Sequence, residues 1–143
     1  MMIDNMQRAI DLIQSSIKEY HSVMVLGPHG CGKLDCTKEA IKNLGLEPYT
    51  VNLELMEPRF LNFQYEAFLK TISDNGVLIM DDIQEVNKRY QMSDWHVEII
   101  AQAQFSKQPV VLVGRECPNL PVAMRCKVLK FTEEFPYELK EIN

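Results

Sequence analysis

Residues 27–34 read Gly-Pro-His-Gly-Cys-Gly-Lys-Leu, an octet in which Gly27, Gly32 and Lys33 stand at the spacing of a phosphate-holding loop. In the pattern G-x-x-x-x-G-K-[S/T] the glycines let main-chain N–H groups turn inward around phosphate oxygens. The lysine faces the outer phosphates and the final hydroxyl holds Mg²⁺. Here Leu34 replaces that hydroxyl, and a leucine side chain offers no metal ligand. The second stretch with chemistry is Asp81-Asp82, two adjacent acids at the end of the apolar run 77–80. A carboxylate taken out of water is costly unless a cation or donors meet it. Asp81 is therefore placed to hold Mg²⁺, directly or through water, and Asp82 to orient or deprotonate an attacking water. The plainer alternatives are a glycine-rich turn that binds nothing and a strand that simply ends in solvent.

Such a loop requires a buried strand before it and a helix after it. Residues 22–26 are a short apolar, β-prone run directly before Gly27. From Lys33 the set Leu34, Thr37, Ala40, Ile41 and Leu44 has helical spacing, up to Gly45, where a C-terminal cap is expected. That helix would aim the positive end of its dipole at the loop. Upstream, Ile3, Met6, Ile10, Ile13 and Ile17 form one apolar stripe of a covering helix. Further strands are expected at 49–53, 77–80, 110–114 and 127–131, with helical stretches around 60–72, 95–105 and 122–124. Strands alternating with helices imply right-handed crossovers and a parallel sheet covered on both faces. Ligands of such sheets bind at the carboxyl ends of the strands, where Gly27, Asp81, Asp82 and the turn at 114–116 fall.

A chain of 143 residues is long enough for one domain with one core. Residues 1–131 are expected to form a nucleotide-binding domain, and residues 132–143, rich in glutamate, a loose acidic tail. A net charge of −5 gives the domain as a whole no pull toward nucleic acid or an anionic membrane. Arg59, Lys70, Lys88 and Arg89 are the cations best placed to touch a phosphate backbone, although scattered cations usually form a solvated surface. The four cysteines, Cys31, Cys36, Cys117 and Cys126, fit no metal-pair spacing and read as reduced thiols. Cys31 reads as a small loop filler, although a helix N-terminus can activate a thiol. No run of apolar residues suffices for a membrane span and no secretory leader is legible, so a cytoplasmic location is expected, or a nuclear one in a eukaryote.

Gly27-Pro28-His29-Gly30-Cys31-Gly32-Lys33 resembles the GPPGCGK loop of AAA+ ATPases, and Val77-Leu78-Ile79-Met80-Asp81-Asp82-Ile83-Gln84 resembles their Walker B strand. The paired aspartates are similar to those of bacterial replication initiators and helicase loaders. Asn119-Leu120-Pro121-Val122-Ala123-Met124-Arg125-Cys126 resembles the clamp-loader segment that ends in Ser-Arg-Cys. The resemblance implies an α/β fold, a three-layer P-loop sandwich with a five-stranded parallel sheet in the order 5-1-4-3-2. It also implies ATP and Mg²⁺ as cofactors. Carried over by position, residues 27–34 would hold the phosphates (Gly27, Pro28, His29, Gly30, Cys31, Gly32, Lys33 and Leu34) and Asp81 the metal. Asp82 would take the catalytic acid's place and Arg125 that of an arginine finger offered to a neighbouring subunit. By itself Arg125 reads equally as a surface arginine capping a short helix.

The sequence departs from the family at Leu34 and at the length of Asp82, where a glutamate is usual. It departs again at Arg115, Glu116 and Cys117, where a polar sensor residue is expected, and the family's helical lid has no room before Asn143. The expected function is ATP binding in a DNA replication or maintenance assembly, as a loader-type or accessory subunit, with hydrolysis weak or absent alone. Expected partners are other AAA+ subunits or replication proteins in a homo- or hetero-oligomer, with DNA reached through the assembly. The alternatives are a degenerate adaptor or regulator with a vestigial nucleotide site and, third, a P-loop kinase, for which no acceptor pocket is readable.

Overall fold

The computed structural model describes residues 2–52, 75–85, 109–117 and 126–142. The expected helices at 60–72, 95–105 and 122–124, together with Arg59, Lys70, Lys88, Arg89 and Arg125, lie outside the described residues.

Helix α1 (Met2–Tyr20) is followed by strand β1 (Ser22–Leu26), helix α2 (Lys33–Asn43) and strand β2 (Glu47–Asn52). Strand β3 (Gly76–Asp81) runs into a single 3₁₀ turn at Ile83–Glu85, and β4 (Val110–Gly114), β5 (Lys127–Phe131) and β6 (Leu139–Glu141) complete the described elements. The strands form one sheet in the order β2-β3-β4-β1-β5-β6. The first five are parallel and in the expected order, which puts β1 at the centre between β4 and β5.

The sixth strand corrects the sequence expectation. Residues after Thr132 do not form a loose tail; they turn back so that β6 pairs antiparallel with β5, Leu139 opposite Phe131. The reversal is tied by Thr132, whose N–H donates to the Glu138 carbonyl at 2.9 Å and whose hydroxyl accepts from the Glu138 N–H at 3.0 Å. Leu139 supplies the driving force, since it is buried in the core among a run of acidic and polar neighbours.

Alternation along the strands sends Val23, Val25, Ile79, Val111, Val113 and Leu129 to one face, where they meet Ile10, Ile13 and Ile17 of α1 and Ala40 and Ile41 of α2. Each fully buried isoleucine here contributes about 1.5–3 kcal/mol. The opposite face is also buried, through Met24, Leu78, Met80 and Leu112, as a sheet at the middle of a sandwich requires. Met6 departs from the expected stripe: it is 48% exposed, because the first turns of α1 overhang a cavity rather than the core. Helix α2 ends as its sequence suggests. Leu46 N–H reaches the Ile41 carbonyl and Gly45 N–H the Lys42 carbonyl, with Gly45 at φ 75°, the paired bonds of a Schellman cap. No helix among the described residues is long and apolar enough to cross a membrane.

Candidate functional site

The loop after β1 begins by extending the sheet. Gly27 N–H donates to the Gly114 carbonyl at 3.0 Å, one step beyond the last β1–β4 pair, so the loop leaves the sheet in a fixed direction. Cys31 N–H then closes a turn on the Pro28 carbonyl at 3.3 Å. Gly30 and Gly32 have φ of 82° and 86°, and a β-carbon at either would meet nothing within 4 Å. The requirement for glycine is therefore conformational: the left-handed region costs another residue about 1–2 kcal/mol. Gly32 is the N-cap of α2 and brings no side-chain acceptor, so an external anion can take the first helical donors.

Lys33 is the first residue of α2, and its ammonium donates to the Pro28 carbonyl at 3.2 Å. A phosphate oxygen would offer it a charged acceptor in place of a neutral one. Leu34, next in line, packs against the hydrophobic core. Cys31 is only 8% exposed, and burial raises its thiol above the usual range against the opposing pull of the Lys33 N–H and charge. That is the behaviour of a filler.

At the end of β3, Asp82 N–H donates to Asp81 Oδ1 at 2.9 Å, and Asp82 itself stands at φ 58°. Burial pushes the Asp81 carboxyl above its usual range. The Asp82 N–H lowers it, the Asp82 charge raises it, and the charges of Lys33 and Lys38 lower it. The loop lysine and the strand-end acid are thus electrostatic neighbours, though they lie far apart in sequence.

The residue that sequence reasoning passed over is Gln84, only 3% exposed. Its Oε1 accepts the main-chain N–H of Arg115 at 3.0 Å, and its Nε2 donates to Asp82 Oδ1 at 3.4 Å. Glycine at 114 makes room: a β-carbon there would come within 2.6 Å of both Gln84 Oε1 and Ile83 Cγ2. Nothing in the spacing of Gln84 announces a partner just beyond the end of β4. Beside the loop at 27–34 lies a cavity of about 210 Å³ lined by Met6, Cys31, Gly32, Phe131, Phe135 and Tyr137 among others. The rings of Phe135 and Tyr137 meet edge to face with centroids 5.9 Å apart. This wall, too, was hidden while the segment read as a tail.

No protein-family model matches the sequence, and no curated protein matches it. Solved structures do. The Thermotoga maritima RuvB Holliday junction branch migration motor superposes with a TM-score of 0.59 at 20% identity, over 87% of this chain and 43% of that one. C. elegans PCH-2 gives 0.56 at 10% identity, over 90% and 41%. AMPPCP-bound DnaA from Aquifex aeolicus gives 0.52 at 13% identity, over 78% and 39%. All three are AAA+ ATPases. The fold is that of an AAA+ P-loop ATPase core. The chain spans about two-fifths of the length of these structures.

Within this fold, residues 27–34 lie at the carboxyl end of β1 and Asp81 and Asp82 at that of β3, the two parallel strands that flank β4, as the fold rule for ligands asks. At the end of β4, where a polar side chain is expected, the Arg115 N–H donates to Gln84 instead, and the Arg115 guanidinium lies 3.6 Å from Glu85.

Proposed function

We propose that this AAA+ core binds ATP at residues 27–34 and works within a DNA replication or maintenance assembly, as a loader-type or accessory subunit with little or no hydrolysis of its own. The observation that carries the reading is Gly32, a left-handed N-cap without a side-chain acceptor, followed at once by Lys33 at the head of α2. Helix donors and an ammonium thereby converge on one spot at the end of the central strand. The aromatic-walled cavity beside Gly32 supports the reading, since it suits a flat apolar group such as a base.

Asp81 is the side chain that would hold Mg²⁺, and the ion would help neutralise phosphate charge. Leu34 contributes nothing to it, and no group of three or more metal-binding side chains is present among the described residues. A magnesium ion here would arrive with the phosphates and keep most of its waters, which is its habit. Asp82 is the candidate water-orienting acid, and Arg125 the candidate finger toward a neighbouring subunit. Such an arrangement calls for other AAA+ subunits or replication proteins as partners. The branch-migration motor and the AMPPCP-bound protein among the structural neighbours support the DNA context and the nucleotide.

Calorimetry with ATP, with and without Mg²⁺, on this chain and on Lys33→Ala tests the reading. Micromolar binding abolished by Lys33→Ala is the expected result, and weak dependence on Mg²⁺ would accord with Leu34. Absence of binding in both conditions overturns it. That outcome leaves the adaptor reading, which the packing of Leu34 into the core favours because the metal position has been given over to structure.

A further inference from the structure

We propose that Gln84 is a positioning residue that holds the Asp82 carboxylate and ties it to the main chain of Arg115, so that the ends of β3 and β4 are mechanically coupled. A main-chain N–H can only donate and a carboxylate can only accept. The orientation of the Gln84 amide is therefore set: Oε1 toward Arg115 at 3.0 Å and Nε2 toward Asp82 Oδ1 at 3.4 Å. The amide is buried, and chained hydrogen bonds polarise one another in such surroundings. One amide thus joins the Asp82 carboxylate to the Arg115 N–H.

The neighbours make this link stiff. Asp82 is held at φ 58°, its carbonyl accepts the Glu85 N–H at 2.9 Å, and Glu85 reaches the Arg115 guanidinium at 3.6 Å. Gly114 leaves Gln84 no slack, since even a β-carbon would collide with its Oε1. The Arg115 side chain is 53% exposed, so the link that starts at the half-buried Asp82 ends beside a cation open to a partner. The use of this link during nucleotide binding rests on the function proposed above, but the link itself does not.

The test is therefore made on the ligand-free full chain, labelled with ¹⁵N, by following the Arg115 amide resonance through a double-mutant cycle. Asp82→Asn removes the charge while keeping the shape. It should displace the Arg115 resonance in the wild-type background, and the displacement should be lost in Gln84→Met, which fills the same volume without either hydrogen bond. Arg115 amide exchange should be roughly tenfold faster in Gln84→Met, the weight of a lost hydrogen bond. Gln84→Glu keeps the acceptor for Arg115 but turns a second carboxylate on Asp82. It should retain the slow exchange and serves if Gln84→Met does not fold. An equal displacement with and without Gln84, or none in either, overturns the proposal. Failure of ATP to bind in calorimetry would overturn the function above and leave this result standing.

Discussion

The main-chain N–H of Asp82 donates to the carboxylate of Asp81 at 2.9 Å, a hook between neighbours that holds the last acid of β3 in a half-buried position. Burial nevertheless prevails and raises the Asp81 carboxyl above its unfolded value. With a raised folded value, the favourable contribution is complete below the unfolded value of about 3.9 and is lost as pH rises through the folded one. Asp81→Asn keeps the acceptor and removes the charge. It should melt higher than the wild type at pH 7, with the gap closing toward pH 4. Thermal denaturation across that range checks it; a gap independent of pH would contradict the assignment.

Asp82 carries the left-handed conformation that asparagine tolerates and alanine does not. Asp82→Asn should leave stability within about 0.5 kcal/mol of the wild type, and Asp82→Ala should lose about 1–2 kcal/mol. Urea denaturation of the two variants side by side separates backbone strain from loss of charge.

Leu34 packs on the core at the position where the loop pattern has a metal-binding hydroxyl. Leu34→Thr should cost about 1–3 kcal/mol of stability through lost apolar burial. In return, ATP binding should become more dependent on Mg²⁺ than in the wild type. Calorimetry at matched protein stability tests the second half, and unchanged magnesium dependence would argue that Asp81 does not face the metal.

Gly114 is boxed in by Gln84 and Ile83. Gly114→Ala should therefore destabilise by about 1–3 kcal/mol, the usual cost of overpacking. It should also speed exchange of the Arg115 amide as Gln84 is pushed aside. A stable variant with normal exchange would mean the contact is loose.

Burial pushes the Cys36 thiol up to about 11 and the Cys126 thiol up to about 12, while Cys117 is exposed. Alkylation at pH 8 should label Cys117 first and spare Cys36 and Cys126 until the chain is unfolded. Mass spectrometry of the digested protein reads the order directly.

The sequence by itself determined the five parallel strands and the glycine-rich turn between β1 and α2. Five parallel strands form where they are expected because continuous apolar runs such as 77–80 and 110–114 are stable only when buried on both faces, while their order was implied by the family resemblance alone. The glycines at 30 and 32 and the cap at Gly45 were legible for a related reason: their conformations are local, and few other residues adopt them. Tertiary structure alone decided the rest. The fate of residues 132–142 turned on one buried leucine whose partner strand must already exist, and Met6 left its stripe because a cavity, not a core, lies beneath it. Gln84 found a partner 31 residues away. A side chain's hydrogen-bond partner in a distant turn is fixed by how the strands pack, and no periodicity along the chain encodes it.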